Sequence, residues 1–234
     1  MATALLLTYF QELPERATGE PAPAWQRRYQ GGLDKFRQQV SARYSEGTLQ
    51  RLLDASDAAT RQAAALALGL CGSMASNRTL AGTLHDDEPS VRQMASEAMW
   101  SIWFGASTPE HNEELQRLVG LAASQECDDD TLLSGFDTLL QKAPDFAEVY
   151  NQRAIFYFQR GDYARAIKDC ERALKLNPHH FGAAGGLAQS YMKQRKLRAA
   201  LRAYRRSFRI NPNLDGVRQA IQSLEKTLGE EGKR

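Results

Sequence analysis

The feature that most constrains this chain is an internal repeat. Laid against itself at an offset of 34 residues, the stretch Phe146–Asn213 matches in kind. Ala154 falls on Ala188, Tyr157 on Tyr191, Tyr163 on Leu197, Ala166 on Ala200 and Pro178 on Pro212. A fixed internal period of this length points to stacked supersecondary units, each burying its apolar face against the next.

Each unit reads as two helices and a turn. In the first, Val149–Gln159 is a helix, Gly161-Asp162 the turn and Tyr163–Leu176 the second helix. Gly161 suits a left-handed position, because it has no Cβ to clash. Asn177-Pro178 ends the second helix, since proline disfavours helical geometry in the residue before it. Small residues at 154 and 166 let two helices approach, and Tyr150, Tyr157, Tyr163 and Ile167 fill the remaining space. The next unit repeats the pattern with Ala184, Leu187, Ala188, Tyr191, Leu197, Ala200, Tyr204 and Phe208. Here Arg195-Lys196 replaces Gly-Asp, which predicts a less regular turn.

This spacing resembles the tetratricopeptide repeat. The likeness covers 147–180 and 181–214, with a degenerate copy over 113–146. In that copy Gly120, Ala123, Phe136, Leu139 and Pro144 take the matching places, and Leu132 stands where Ala166 stands. Asp215–Leu228, with Val217, Ile221, Leu224 and Leu228 at helical spacing, reads as a capping helix over 215–228. The resemblance implies an all-α fold, an α-solenoid built as a right-handed superhelix of helical hairpins.

A second period precedes the first. At an offset of 31, Arg61 falls on Arg92, Ala64 on Ala95, Ala67 on Ala98, Leu49 on Leu80 and Leu53 on Leu84. The segments Asp57–Gly69 and Glu88–Trp100 resemble the HEAT-like repeat, in which an acidic turn precedes an Arg-x-x-Ala-x-x-Ala-Leu helix. Carboxylates there meet unpaired N–H groups and the positive end of the helix dipole. Met99, Trp100, Trp103 and Phe104 are too large for a regular repeat interior and read as the joint between the two repeat types. Thr108-Pro109 reads as cap and first turn of the next helix. Upstream, Met1–Leu13 reads as a short amphipathic helix and Ala24–Gln30 as a helical turn broken by Gly31-Gly32. Leu33–Tyr44 then reads as a one-sided helix. The expected organisation is therefore an N-terminal segment 1–32, HEAT-like repeats 33–107 and a tetratricopeptide domain 108–234.

Charge is divided along the chain. Residues 1–144 hold 12 Lys and Arg against 19 Asp and Glu, a net −7; residues 145–234 hold 18 against 9, a net +9. Such a field bears on association rather than fold. Apolar runs are too short for a membrane span, and Met1–Leu13 lacks the basic start and cleavage site of a secretion signal. Cys71, Cys127 and Cys170 are odd in number and far apart, which reads as reduced thiols in a cytoplasmic protein.

No catalytic motif stands out. The histidines lack metal-ligand spacing, and His179-His180 after Pro178 reads as an exposed turn. Cys127 with three following aspartates reads as a helix cap. Gly182, Gly185 and Gly186 lie inside a helix and form no dinucleotide fingerprint. No cofactor or metal is expected.

In the resembled family, peptides lie on the inner helices. The matching positions are Asn151, Ile155, Phe158 and Gln159 in the first unit and Gln189, Met192 and Lys193 in the second. Gly182 and Gly185 would face that groove and leave it open. Some members hold a chaperone's terminal carboxylate through a Lys, Arg and Asn clamp. Here those positions carry Asn151, Ile155, Gly186, Gly216 and Ala220, so no binding of that carboxylate is expected. The alternative is that the groove residues are buried under the neighbouring repeat.

A second candidate is basic. Arg198, Arg202, Arg205 and Arg209 recur at helical spacing, opposite Leu197, Leu201, Tyr204 and Phe208. This reads either as a solvated face or as a site for an acidic protein partner. Nucleic acid is disfavoured, because no base-stacking aromatic stripe accompanies the charge. The leading expectation is a non-catalytic interaction module or scaffold. An accessory subunit bridging parts of an enzyme assembly is the alternative. A bilin-lyase-like enzyme is a third, with only the HEAT-like repeat in its favour.

Overall fold

Each short run of apolar positions at three- and four-residue spacing becomes a helix. The computed structural model describes residues 2–124 and 127–231, and within them there are thirteen α-helices and no strand. The chain divides into two compact units, Met1–Ile102 and Trp103–Arg234.

The first unit begins with α1 (Ala2–Gln11) and α2 (Ala22–Ser41), which pack on each other. Here the structure corrects the sequence reading. α2 runs unbroken through Gly31-Gly32, so the expected boundary at 32/33 falls inside a helix. A helical glycine costs only about 1 kcal/mol, and Gly32 has a packing reason. A Cβ there would lie 2.4 Å from Pro14 Cδ, so the missing side chain admits the loop that follows α1.

Next come α3 (Glu46–Leu52) and α4 (Ala58–Cys71), then a 3₁₀ turn (Met74–Ser76), α5 (Asn77–Thr83) and α6 (Pro89–Phe104). Asp57 caps α4, its carboxylate accepting from the Thr60 N–H at 2.7 Å. The repeated arginines have a repeated task. Arg61 donates to the carbonyls of Ala55 and Ser56, and Arg92 donates to those of Asp86 and Asp87, 31 residues on. Arg61 also grips both Asp86 carboxylate oxygens at 2.7 and 2.9 Å, which holds that carboxyl below its usual range. α4 and α6 touch backbone to backbone. A Cβ on Gly69 would lie 2.9 Å from Ala98 Cα, and Ser101 Oγ donates to the Gly69 carbonyl at 2.6 Å.

The second unit takes the end of α6 and continues with α7 (Pro109–Ser124) and α8 (Asp129–Lys142). α9 (Ala147–Gln159), α10 (Tyr163–Leu176), α11 (Phe181–Lys193), α12 (Leu197–Ile210) and α13 (Val217–Glu231) follow. Consecutive helices pack in order, α7 on α8 through α12 on α13, as in a solenoid of helical hairpins. The residues that close α8, α10 and α12 are Ala143, Asn177 and Asn211, each followed by proline and spaced 34 apart. Asn177 and Asn211 accept from the backbone N–H two residues on, at 3.1 and 3.0 Å. Asp128 caps α8 through the Thr131 N–H.

Among the described residues this unit shows two apolar cores. One is built on large side chains, including Leu115, Leu118, Leu132, Phe136 and Phe156. The other is built on small ones, including Ala154, Ala173, Ala183, Ala184 and Ala188 around Leu174 and Leu187. Alanine seams of this kind let helix axes approach to the short end of the usual 8–10 Å range. Among the described residues no helix is long and apolar enough to cross a membrane.

Candidate functional site

The residues expected on the inner helices divide by exposure. Ile155, Gln159, Gln189, Met192 and Lys193 are exposed, and Phe158 is half-buried with its ring edge-on to Tyr163 at 5.4 Å between centroids. α9 packs against α11. The 34-residue offset puts Ile155 in register with Gln189, Phe158 with Met192 and Gln159 with Lys193. These six therefore occupy equivalent positions on equivalent helices. Ile155 at 41% and Met192 at 37% are the large hydrophobic side chains left exposed among the described residues.

Asn151 does not belong with them. It is 2% exposed, and its side-chain amide donates to Glu148 Oε1 at 3.0 Å. Of Gly182 and Gly185, the two glycines expected to face the groove, Gly185 is directed at a neighbouring helix instead. The Cβ direction of Gly185 points to Ser207 Oγ of α12, at 3.8 Å, and that of Gly186 to Cys170 Sγ of α10, at 3.3 Å. Both glycines serve helix contact.

Beneath this surface lies a buried polar group that the sequence reading missed. His180, read as an exposed turn, is fully buried and caps α11. Its Nδ1 accepts from the Ala183 N–H at 3.1 Å. That leaves Nε2 to carry the proton and donate to Glu148 Oε2 at 2.8 Å. Glu148 also accepts from Gln152 Nε2 at 2.6 Å. The Trp103 ring stacks on the imidazole at 4.2 Å and meets Phe181 at 4.9 Å. One signal was present in the sequence. Position 180 corresponds to Phe146 and Leu214 in the other copies, so an apolar place holds a histidine.

A second, partly buried link crosses three helices. Arg153 of α9 bonds both carboxylate oxygens of Asp169 of α10, each at 2.7 Å, and also pairs with Asp137 of α8. Burial works against the Arg153 charge, but the hydrogen bonds and charge of Asp169 outweigh it and hold the guanidinium above its usual range. Nearby, burial and then the charges of Asp169 and Glu171 push the Cys170 thiol up to about 12. Among the described residues no three His, Cys, Asp or Glu side chains gather as a metal site.

Of the basic candidates, Arg198, Arg202, Arg205 and Arg209 are all exposed on α12. Phe208 is not opposite them. It is half-buried and lines the same trough as Arg202, Arg205 and Arg209. At 3.6 residues per turn, positions 205 and 208 are only about 60° apart.

Comparison with known proteins agrees with this architecture. The family model of HEAT repeats matches residues 45–131, and those of the tetratricopeptide repeat match 147–180 and 183–214. The chain carries tetratricopeptide repeats, with HEAT repeats on their N-terminal side. The HEAT match runs over α7 into α8, where the sequence reading had a degenerate tetratricopeptide unit. A TPR repeat-containing protein of Rhizobium etli is 30% identical over 96 residues, covering 41% of this chain and 47% of the relative. Sperm-associated antigen 1 of Mus musculus is 30% identical over 82 residues, covering 35% of this chain and 9% of that protein. The Hsp70-Hsp90 organizing protein of Triticum aestivum is 27% identical over 97 residues, covering 39% and 16%. The match thus spans about half of the first relative and far less of the others. Among solved structures, the Sgt2 TPR domain of Aspergillus fumigatus superposes with a TM-score of 0.49 at 20% identity, over 55% of this chain and 85% of that one.

Proposed function

We propose that the tetratricopeptide unit is a non-catalytic interaction module that holds a partly apolar peptide segment on α9 and α11. The contact residues are Ile155, Phe158, Gln159, Gln189, Met192 and Lys193. The observation that carries this is the exposure of Ile155 and Met192. They lie on the two equivalent helices that bind peptides in the resembled family, and exposed apolar side chains in a patch mark interaction sites. The amides of Gln159 and Gln189 and the ammonium of Lys193 supply polar contacts at the rim.

This surface does not suit a terminal carboxylate. Asn151 is spent on Glu148, and the other clamp positions hold Ile155, Gly186, Gly216 and Ala220. Calorimetry with a chaperone C-terminal peptide should therefore give no measurable heat; micromolar binding would refute the point. We place the protein in the cytoplasm on its thiol usage.

Photo-crosslinking in the native cell tests the main reading. A crosslinking residue at Ile155, at Gln189 or at Met192 should capture the same partner segment, and one at the exposed Lys168 of α10 should not. Equal capture from Lys168 would overturn it. A bridging role in an enzyme assembly is the second reading, favoured by the opposite charges of residues 1–144 and 145–234.

A further inference from the structure

The arginine row of α12 has an apolar neighbour. α13 packs along α12, and a trough of about 820 Å³ opens on this pair. Arg202, Arg205 and Arg209 of α12 and Arg218 of α13 line it, together with the partly exposed Phe208 and Ile221. At Arg202 it adjoins a second hollow of about 440 Å³, where Arg195, Lys196 and Arg198 stand around Leu197 and Leu228. The surface therefore combines an excess of cations with apolar wall.

The fold already shows how such a row is satisfied. Glu225, carried on α13, meets Arg205 at 2.7 Å. Among the described residues Arg202 and Arg209 have no carboxylate within ion-pair distance, and Arg218 lies over the Phe208 ring at 5.4 Å. Residues 202 and 209 are about 10 Å apart along the helix, near two turns. Carboxylates at a similar separation on an incoming segment would reach both, with an apolar side chain between them facing Phe208 and Ile221.

We propose that the α12–α13 trough is a second docking site, separate from the α9–α11 surface, and that it takes an acidic amphipathic segment of a partner protein. Two carboxylates pair with Arg202 and Arg209, and one apolar side chain sits against Phe208 and Ile221. Charge complementarity selects the sign of the partner, and the apolar wall selects protein over nucleic acid. A phosphate backbone would use the arginines and leave Ile221 unused. This inference stands independently of the peptide reading for α9 and α11.

The test uses the full chain and a displayed library of random peptides of about 16 residues, roughly four helical turns. Selected peptides are measured by fluorescence anisotropy. We expect sequences with carboxylates flanking an aliphatic or aromatic residue. Their affinity should fall about tenfold or more in Arg202→Glu/Arg209→Glu and change less than about twofold in Ile155→Ser/Met192→Ser. If circular dichroism shows the charge reversal misfolded, Arg202→Gln/Arg209→Gln replaces it, with a drop of about threefold expected. The proposal is overturned if no such peptides are selected, or if their binding survives the arginine variants. It also fails if polyglutamate of equal length binds as tightly, or if single-stranded RNA displaces the peptide at a lower concentration than the peptide itself. Loss of binding only in the Ile155/Met192 variant would assign these peptides to the α9–α11 surface and refute the second site.

Discussion

The two tetratricopeptide repeats share a backbone and differ in what holds it. In the first, Gly161 takes the left-handed position at φ +79° and Asp162 caps α10 through the Arg165 N–H at 3.0 Å. In the second, Arg195 is forced to φ +57° and Lys196 provides no side-chain cap to α12. The turns nonetheless close alike. The Asp162 N–H bonds the Tyr157 carbonyl at 2.9 Å, and the Lys196 N–H bonds the Tyr191 carbonyl at 2.9 Å. The interiors differ too. Arg153 and the buried Asp169 form a partly buried ion pair, and 34 residues on the same places hold Leu187 and Ala203, both buried. Stacking on neighbours thus imposes the geometry, and local sequence decides only how much strain it carries.

The largest expected effect concerns access to the first repeat. With its thiol pushed up to about 12, Cys170 should alkylate about a thousandfold more slowly at pH 8 than in the unfolded chain. Mass spectrometry of timed iodoacetamide labelling checks this; rates approaching the unfolded one would mean that α10 opens locally. The same shift has a stability consequence. The unfolded thiol ionises near its ordinary value of 9.0 while the folded one stays neutral. Stability is therefore whole below pH 9 and declines as pH rises toward 12.

Making the first repeat resemble the second comes next. Arg153→Leu alone leaves Asp169 buried without its partner and should cost about 3 kcal/mol in urea unfolding. The double change Arg153→Leu/Asp169→Ala, copying Leu187 and Ala203, should recover at least about half of that. A double variant no more stable than the single one would mean that the pair itself holds the repeat together.

Making the second resemble the first has smaller effects. Arg195→Gly should stabilise by about 1 kcal/mol or less, since the relief of left-handed strain is partly offset by a freer unfolded chain. Lys196→Asp should add about 0.5 kcal/mol by capping α12 and meeting its dipole. A shift of the unfolding midpoint in the opposite direction would show that the arginine turn is held by contacts of its own.

Much of this was legible along the chain. Pro144, Pro178 and Pro212 marked helix ends correctly, Asp57 and Asp128 marked starts, and the alanine positions marked the seams. The exposure of Ile155 and Met192 was foreseeable because the repeat register assigns a face to each position. Asn151, one turn before Ile155 on the same helix, is turned to other use by Glu148, three residues earlier. Gly31-Gly32 misled because a glycine pair looks like a break unless Pro14 is known to lie against it. His180 misled because a histidine after a proline looks solvated unless Trp103 and Glu148, far off in sequence, are brought to it.

Periodicity alone established paired helices and many of their caps, because spacing along a helix fixes which residues share a face. What tertiary structure decided was the fate of individual polar and small residues. Burial of His180, the ion pair of Arg153 and the helix contacts of Gly185 and Gly186 depend on atoms supplied by other helices. No local pattern encodes which neighbour arrives, or at what distance.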